Sequence, residues 1–167
     1  MFVAPPDYSG LQGVSQRSIL RRFLRDLTTL EACDVFVQTE EKHEDWVRDC
    51  LPEQHTFDLR TDGPAGRSGL PRKVERVFRN RFEDGYERVL SVAADTPGLD
   101  AERIRDALRS LRTEKSTAAV GPSRDGGFYL LGVNSHESGF LEGVPFYVNS
   151  TFRCLMDRLK SLYDQIR

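Results

Sequence analysis

The sequence predicts an α/β domain of three-layer αβα architecture, with a mostly parallel or mixed sheet covered by helices. Short apolar runs alternate with helical-period segments along almost the whole chain, an order that builds parallel strands under crossover helices. One strand pair near the C-terminal end, joined by a Gly-rich turn, adds an antiparallel element. No repeat, low-complexity stretch or linker interrupts the 167 residues, so they read as a single domain, 1–167, with one core.

Each element has its own signal. Phe2 to Ala4 is a candidate first strand, followed by a Pro-, Gly- and Ser-rich loop over 5–15. From Gln16 to Leu30, the residues Ile19, Leu20, Phe23, Leu24, Leu27 and Leu30 recur at helical spacing, with Ser15 as candidate N-cap. Residues 34–39 read as a buried strand, 44–51 as a short helix ended by Pro52, and 56–60 as another strand. Residues 61–69 are a loop by composition. Leu70, Val74, Val77, Phe78 and Phe82 then mark a second amphipathic helix. Arg88 to Ala94 is the strongest strand, and Asp100 is placed to cap a helix with Ile104, Ala107, Leu108 and Leu111 on one face. Residues 117–120 and 128–133 are strands flanking the turn. Asn149 or Ser150 caps a last helix carrying Phe152, Leu155, Met156, Leu159, Leu162 and Ile166.

Composition narrows the function. Apolar residues make up 38% and charged residues 30%, and the net charge is −2, which offers nothing to attract nucleic acid or an anionic membrane. Arg17, Arg21, Arg22 and Arg25, and then Arg72, Lys73, Arg76, Arg79 and Arg81, alternate with apolar positions and read as solvated helix faces. Cys33, Cys50 and Cys154 share no metal or disulfide spacing. The N-terminal residues lack the basic flank and apolar core of a signal peptide. No apolar run approaches the ~20 residues of a membrane span. The default is a cytoplasmic protein, and the apolar stripe of the last helix leaves room for a homodimer.

Two acidic turns carry the candidate chemistry. Asp95, in Ala94-Asp95-Thr96-Pro97, follows the strongest strand, and ligands of open parallel sheets bind beyond such strand ends. A carboxylate there suits a divalent cation or a ribose hydroxyl, though Asp is also an ordinary turn former. Asp125-Gly126-Gly127 needs a sharp backbone or a close approach. It is also a common hairpin signal. Phe128 and Tyr129 supply rings beside it. The loop at 63–69, with Arg67, could cradle phosphate before its helix, but it matches neither phosphate-binding glycine motif. His43, His55 and His136 read as surface residues. No nucleophile-elbow motif is present.

Residues 91–99, Ser-Val-Ala-Ala-Asp-Thr-Pro-Gly-Leu, and 120–133, Val-Gly-Pro-Ser-Arg-Asp-Gly-Gly-Phe-Tyr-Leu-Leu-Gly-Val, resemble a small bacterial family. That family is glycosyltransferase-A-like and is also called radical-SAM/selenodomain-associated transferase type 1. Its usual pattern is Gly-Ser-Asp-Cys-Pro-x-Leu, then Gly-Pro-x-x-Asp-Gly-Gly-Tyr-Tyr-Leu-Ile-Gly. Residues 62–82 resemble its Gly-x-Leu-Gly-x-Arg loop and helix, and 139–151 its Phe-x-Gly-Ile-x-Trp-Ser-Thr segment, with Phe146 near the Trp.

The resemblance implies a nucleotide-diphospho-sugar transferase fold of the glycosyltransferase-A type, a nucleotide-sugar donor, an acceptor of unknown identity and a divalent cation, Mg²⁺ or Mn²⁺. Asp95 takes the role of the metal-linked Asp, helping to neutralise the diphosphate leaving group. Asp125 becomes the catalytic candidate, as acceptor-side base or as a residue positioning the donor sugar. Ala4, Pro5, Arg17, Arg67, Ala94, Asp95, Gly126 and Gly127 become the candidate nucleotide- and substrate-binding set.

The sequence also departs from the pattern. The family loop Ala-x-Pro-Gly-x-Val-Lys-Thr-Arg-Leu corresponds to residues 4–20, where the Lys is missing, Arg17 remains and Asp7 adds negative charge. Losing one charge-assisted contact to diphosphate costs ~1.5–3 kcal/mol, or about tenfold to a hundredfold in affinity. Ala94 and Thr96 stand where the family commonly has Ser and Cys. The sequence therefore supports a metal-dependent transferase using a nucleotide-sugar donor, or a nucleotidyltransferase of the same fold. Its rival is a degenerate member that binds a ligand or partner without turnover.

Overall fold

The computed structural model describes residues 13–30, 33–52, 58–62, 66–94, 96 and 98–167, with side chains described from Arg17 onward except over 53–68. The expected strand at 2–4 lies outside the described residues. The chain divides into two compact units.

The first unit holds residues up to Pro64 and Val92–Arg105. Helix α1 spans Gly13–Leu27, so it starts before Gln16, and Ser15 lies inside its first turn rather than at the cap. Of the apolar residues spaced along it, Leu20, Phe23, Leu24 and Leu27 are buried, whereas Ile19 is exposed and Leu30 lies beyond the helix end. Strands β1 (Phe36–Glu40) and β2 (Asp58–Asp62) pair in parallel, from Phe36 opposite Asp58 to Glu40 opposite Asp62. Between them a single 3-10 turn leads into the short helix α2, Glu44–Arg48, which buries Val47. The Arg21 guanidinium donates to the Asp49 carbonyl at 3.0 Å, tying α1 to the end of α2. In the returning segment Val92, Ala94, Leu99 and Ile104 are buried.

The second unit holds Ala65–Ser91 and Asp106–Arg167. Helix α3 runs Gly66–Glu83 and includes Pro71. The loop read at 61–69 is therefore shorter than its composition suggests: Gly66 to Gly69 are helical, and Pro71 sits in the second turn, where it removes one backbone donor. Strand β3 is Val89–Val92; helix α4, Ala101–Ser110, begins within the first unit's stretch and ends within the second's. The Asp100 carboxylate accepts from the Arg103 backbone N–H at 2.9 Å, an N-cap at the expected residue. Strands β4 (Thr117–Pro122) and β5 (Phe128–Val133) form an antiparallel pair, with Ala118 opposite Val133 and Gly121 opposite Leu130.

Helix α5 is Thr151–Lys160. Ser150 precedes it, but its side chain makes no capping bond. Ile166, which continues the helical period of Leu155, Leu159 and Leu162, is not helical. It belongs to β6, Gln165–Ile166, which lies parallel to β4 with Ala118 opposite Ile166. Three backbone bonds hold this edge, including Val120 N–H to the Arg167 carbonyl at 2.9 Å. The mixed sheet runs in the order β3-β5-β4-β6.

The core of this unit gathers Val74 and Phe78 from α3, Ala118, Leu131 and Val133 from the sheet, Phe140, Leu141 and Val144 from the following loop, and Leu155 and Leu159 from α5. Phe78 meets Phe140 edge-on, ring centres 5.3 Å apart. His136 is not a plain surface residue: it stands between the Phe82 and Phe140 rings, centroids 6.1 and 6.0 Å away. The Tyr163 hydroxyl donates to the Ser135 carbonyl at 3.0 Å, and burial holds its phenol above the ordinary range.

Candidate functional site

The Asp125 turn is the hairpin between β4 and β5, and it is fixed from inside. The Gly126 N–H donates to the Ser123 carbonyl at 3.2 Å and the Ser123 N–H donates to the Gly127 carbonyl at 3.0 Å. The Asp125 carboxylate accepts from the Ser123 hydroxyl and, at 3.1 Å, from the Gly127 N–H. These two donors, the hydroxyl first, hold the Asp125 carboxyl below its ordinary pKa. The side chain is exposed. The turn thus presents a stably charged acceptor in a set position. Gly126 has φ +82°, a conformation that a side chain resists, so this position of the turn calls for glycine.

A second segment closes on this turn. A Cβ on Gly126 would collide with the Asn149 carbonyl and lie 2.7 Å from the Asn149 Cα. The Gly126 carbonyl accepts from the Phe152 N–H, in the first turn of α5, at 2.8 Å. Phe128 packs edge-on against Phe146, ring centres 5.5 Å apart. Across the ladder the Tyr129 ring covers Gly121, where a Cβ would stand 2.6 Å from the ring. Phe128 and Phe146 both pack against the core, so of the aromatic residues singled out from sequence these two serve packing. Sequence reading missed Ser123 and Asn149. A hydroxyl two residues before an Asp is a local signal for the first. Nothing local marks the second, whose partner is 23 positions away.

The other candidates fall as follows. Arg17 stands on α1 with its side chain 45% exposed and its guanidinium 4.0 Å from the Asp49 carboxylate, a surface pair of little energetic weight. Arg67 is in the first turn of α3, not in a loop. Ala94 is buried and follows β3 in a turn. Ala4, Pro5 and Asp95 lie outside the described residues.

Among the described residues, no group of three His, Cys, Asp or Glu side chains could hold a metal ion. The partners of Asp125 are a hydroxyl and an N–H, both donors, and supply no further ligand. A depression of about 620 Å³ lies at the other end of the β4–β5 pair, lined by Glu87, Arg88, Arg112, Glu114 and Asn134 among others. It contains none of the candidate residues. Among the described residues no helix is long and apolar enough to cross a membrane.

Comparison with known proteins places the fold. A "putative nucleotide-diphospho-sugar transferase" from Desulfovibrio desulfuricans G20 superposes with a TM-score of 0.75 at 21% identity, covering 99% of this chain and 76% of that one. The 4-diphosphocytidyl-2C-methyl-D-erythritol synthase of Anaerococcus prevotii DSM 20548 gives a TM-score of 0.63 at 14% identity, covering 99% and 86%. No curated protein matches the sequence. The chain has the nucleotide-diphospho-sugar transferase fold, as the two motifs imply. A family model described as "uncharacterized protein conserved in bacteria" matches residues 23–147, and the chain belongs to that family, DUF2064.

Proposed function

We propose that the chain is a transferase acting on a nucleotide-diphospho-sugar, and that Asp125 positions a sugar by accepting from its hydroxyls. The observation that carries this reading is the exposed Asp125 carboxylate, held charged by Ser123 and Gly127 on a rigid hairpin. The fold supplies the substrate class. Of the two roles implied for Asp125, the depressed pKa favours positioning. A general base works best when its pKa lies near the operating pH, and stabilising the carboxylate moves Asp125 the other way. A charged acceptor that stays charged is instead well suited to hydroxyl recognition.

Asp95 is the proposed anchor for Mg²⁺ or Mn²⁺. Mg²⁺ is ordinarily held by one or two carboxylates together with the substrate's phosphates, and Asp95 is the residue proposed to supply one of them. Such an ion would offset the charge of the diphosphate leaving group. The protein's own part is to hold the sugar at the Asp125 turn.

Calorimetric titration with UDP, GDP, CDP and dTDP, each with Mg²⁺ or Mn²⁺, tests the donor class. Metal-dependent binding of one of them, abolished by Asp95→Ala, is the expected result. Absence of binding to all four sinks the donor reading. The name of the second solved structure contains a diphosphocytidyl group, so CTP belongs in the same series as the test for nucleotidyl transfer.

A further inference from the structure

We draw no further inference here: the strongest candidate, the depression at the far end of the β4–β5 pair lined by Glu87, Arg88, Arg112, Glu114 and Asn134, carries nothing, because Arg88 already pairs with Glu87, the Asn134 side chain is spent on backbone groups of the neighbouring loop and of β4, and nothing in the structure shows what would occupy it.

Discussion

The backbone of Gly126 lies directly against the carbonyl of Asn149, with no room for a side chain between them. This contact joins the β4–β5 hairpin to the approach of α5, and the bond from the Phe152 N–H to the Gly126 carbonyl continues it. Asp125 owes its setting to that join. The hairpin alone would fix the turn's shape, whereas the contact with Asn149 fixes where the turn stands relative to the start of α5.

Gly126→Ala should therefore destabilise the protein through two separate causes. The φ of +82° is unfavourable for Ala, and its Cβ meets the Asn149 carbonyl. Backbone strain and overpacking each cost roughly 1–3 kcal/mol, so a loss of about 2–6 kcal/mol is expected by urea unfolding. A loss below about 1 kcal/mol would mean that the hairpin tip is not held against Asn149.

Asp100→Ala separates stability from function. The Asp100 carboxylate caps α4 through Arg103 and belongs to no candidate site. Removing an N-cap costs about 1 kcal/mol, or about 2–4 °C in Tm for a protein of this size. Ligand affinity measured well below Tm should not change. A change in affinity would show that α4 contributes to the site.

Gly121 and Tyr129 give a third test. The Tyr129 ring occupies the space in which a Cβ on Gly121 would lie. Gly121→Val has to displace the ring, at a cost of about 1–3 kcal/mol. Combining it with Tyr129→Ala should recover part of that loss, because the ring then no longer obstructs. Strict additivity in the double mutant would show that the two residues do not share this space.

Much of this was legible because the physics is local. Asp100 is readable as a cap from a polar residue before an apolar helical period, and Asp125-Gly126-Gly127 as a turn from glycine's freedom at positive φ. The β4 and β5 strands are apolar runs bounded by breakers. What was hidden depends on long-range pairing. Ile166 keeps the period of Leu155, Leu159 and Leu162, yet it pairs with Ala118 in the sheet. Strand pairing overrides helical spacing there, and no residue near 166 announces it. The start of α3 was hidden for the opposite reason: Gly66, Ser68, Gly69 and Pro71 favour a loop individually, but the chain continues as a helix through them. At the site, the acidic residue and its glycines were visible, whereas Asn149 acquires meaning only from its contact with Gly126 across 23 residues of chain.

The hydroxyl of Ser123 sets the charge state of Asp125, and its removal should show this in two ways. In the folded protein the Asp125 pKa lies below its ordinary value of 3.8, chiefly because of Ser123 and then of the Gly127 N–H. A group whose folded pKa is depressed adds stability that is present above its unfolded pKa and lost as pH falls through the folded one. Asp125 thus stabilises the fold at neutral pH, and the contribution begins to fade below about pH 4 and is lost as pH falls through the lower folded value. Ser123→Ala should move the Asp125 carboxyl resonance, followed by NMR against pH, back toward the ordinary value, and should reduce the loss of stability on acidification. The Gly127 bond remains, so the return is incomplete. Affinity for a nucleotide-sugar that binds the wild type should fall about threefold to tenfold, in line with the loss of one hydrogen bond that orders the carboxylate. An unchanged titration of Asp125 in Ser123→Ala would show that the hydroxyl does not hold the carboxylate. An unchanged affinity alongside a shifted titration would remove Asp125 from the sugar contact.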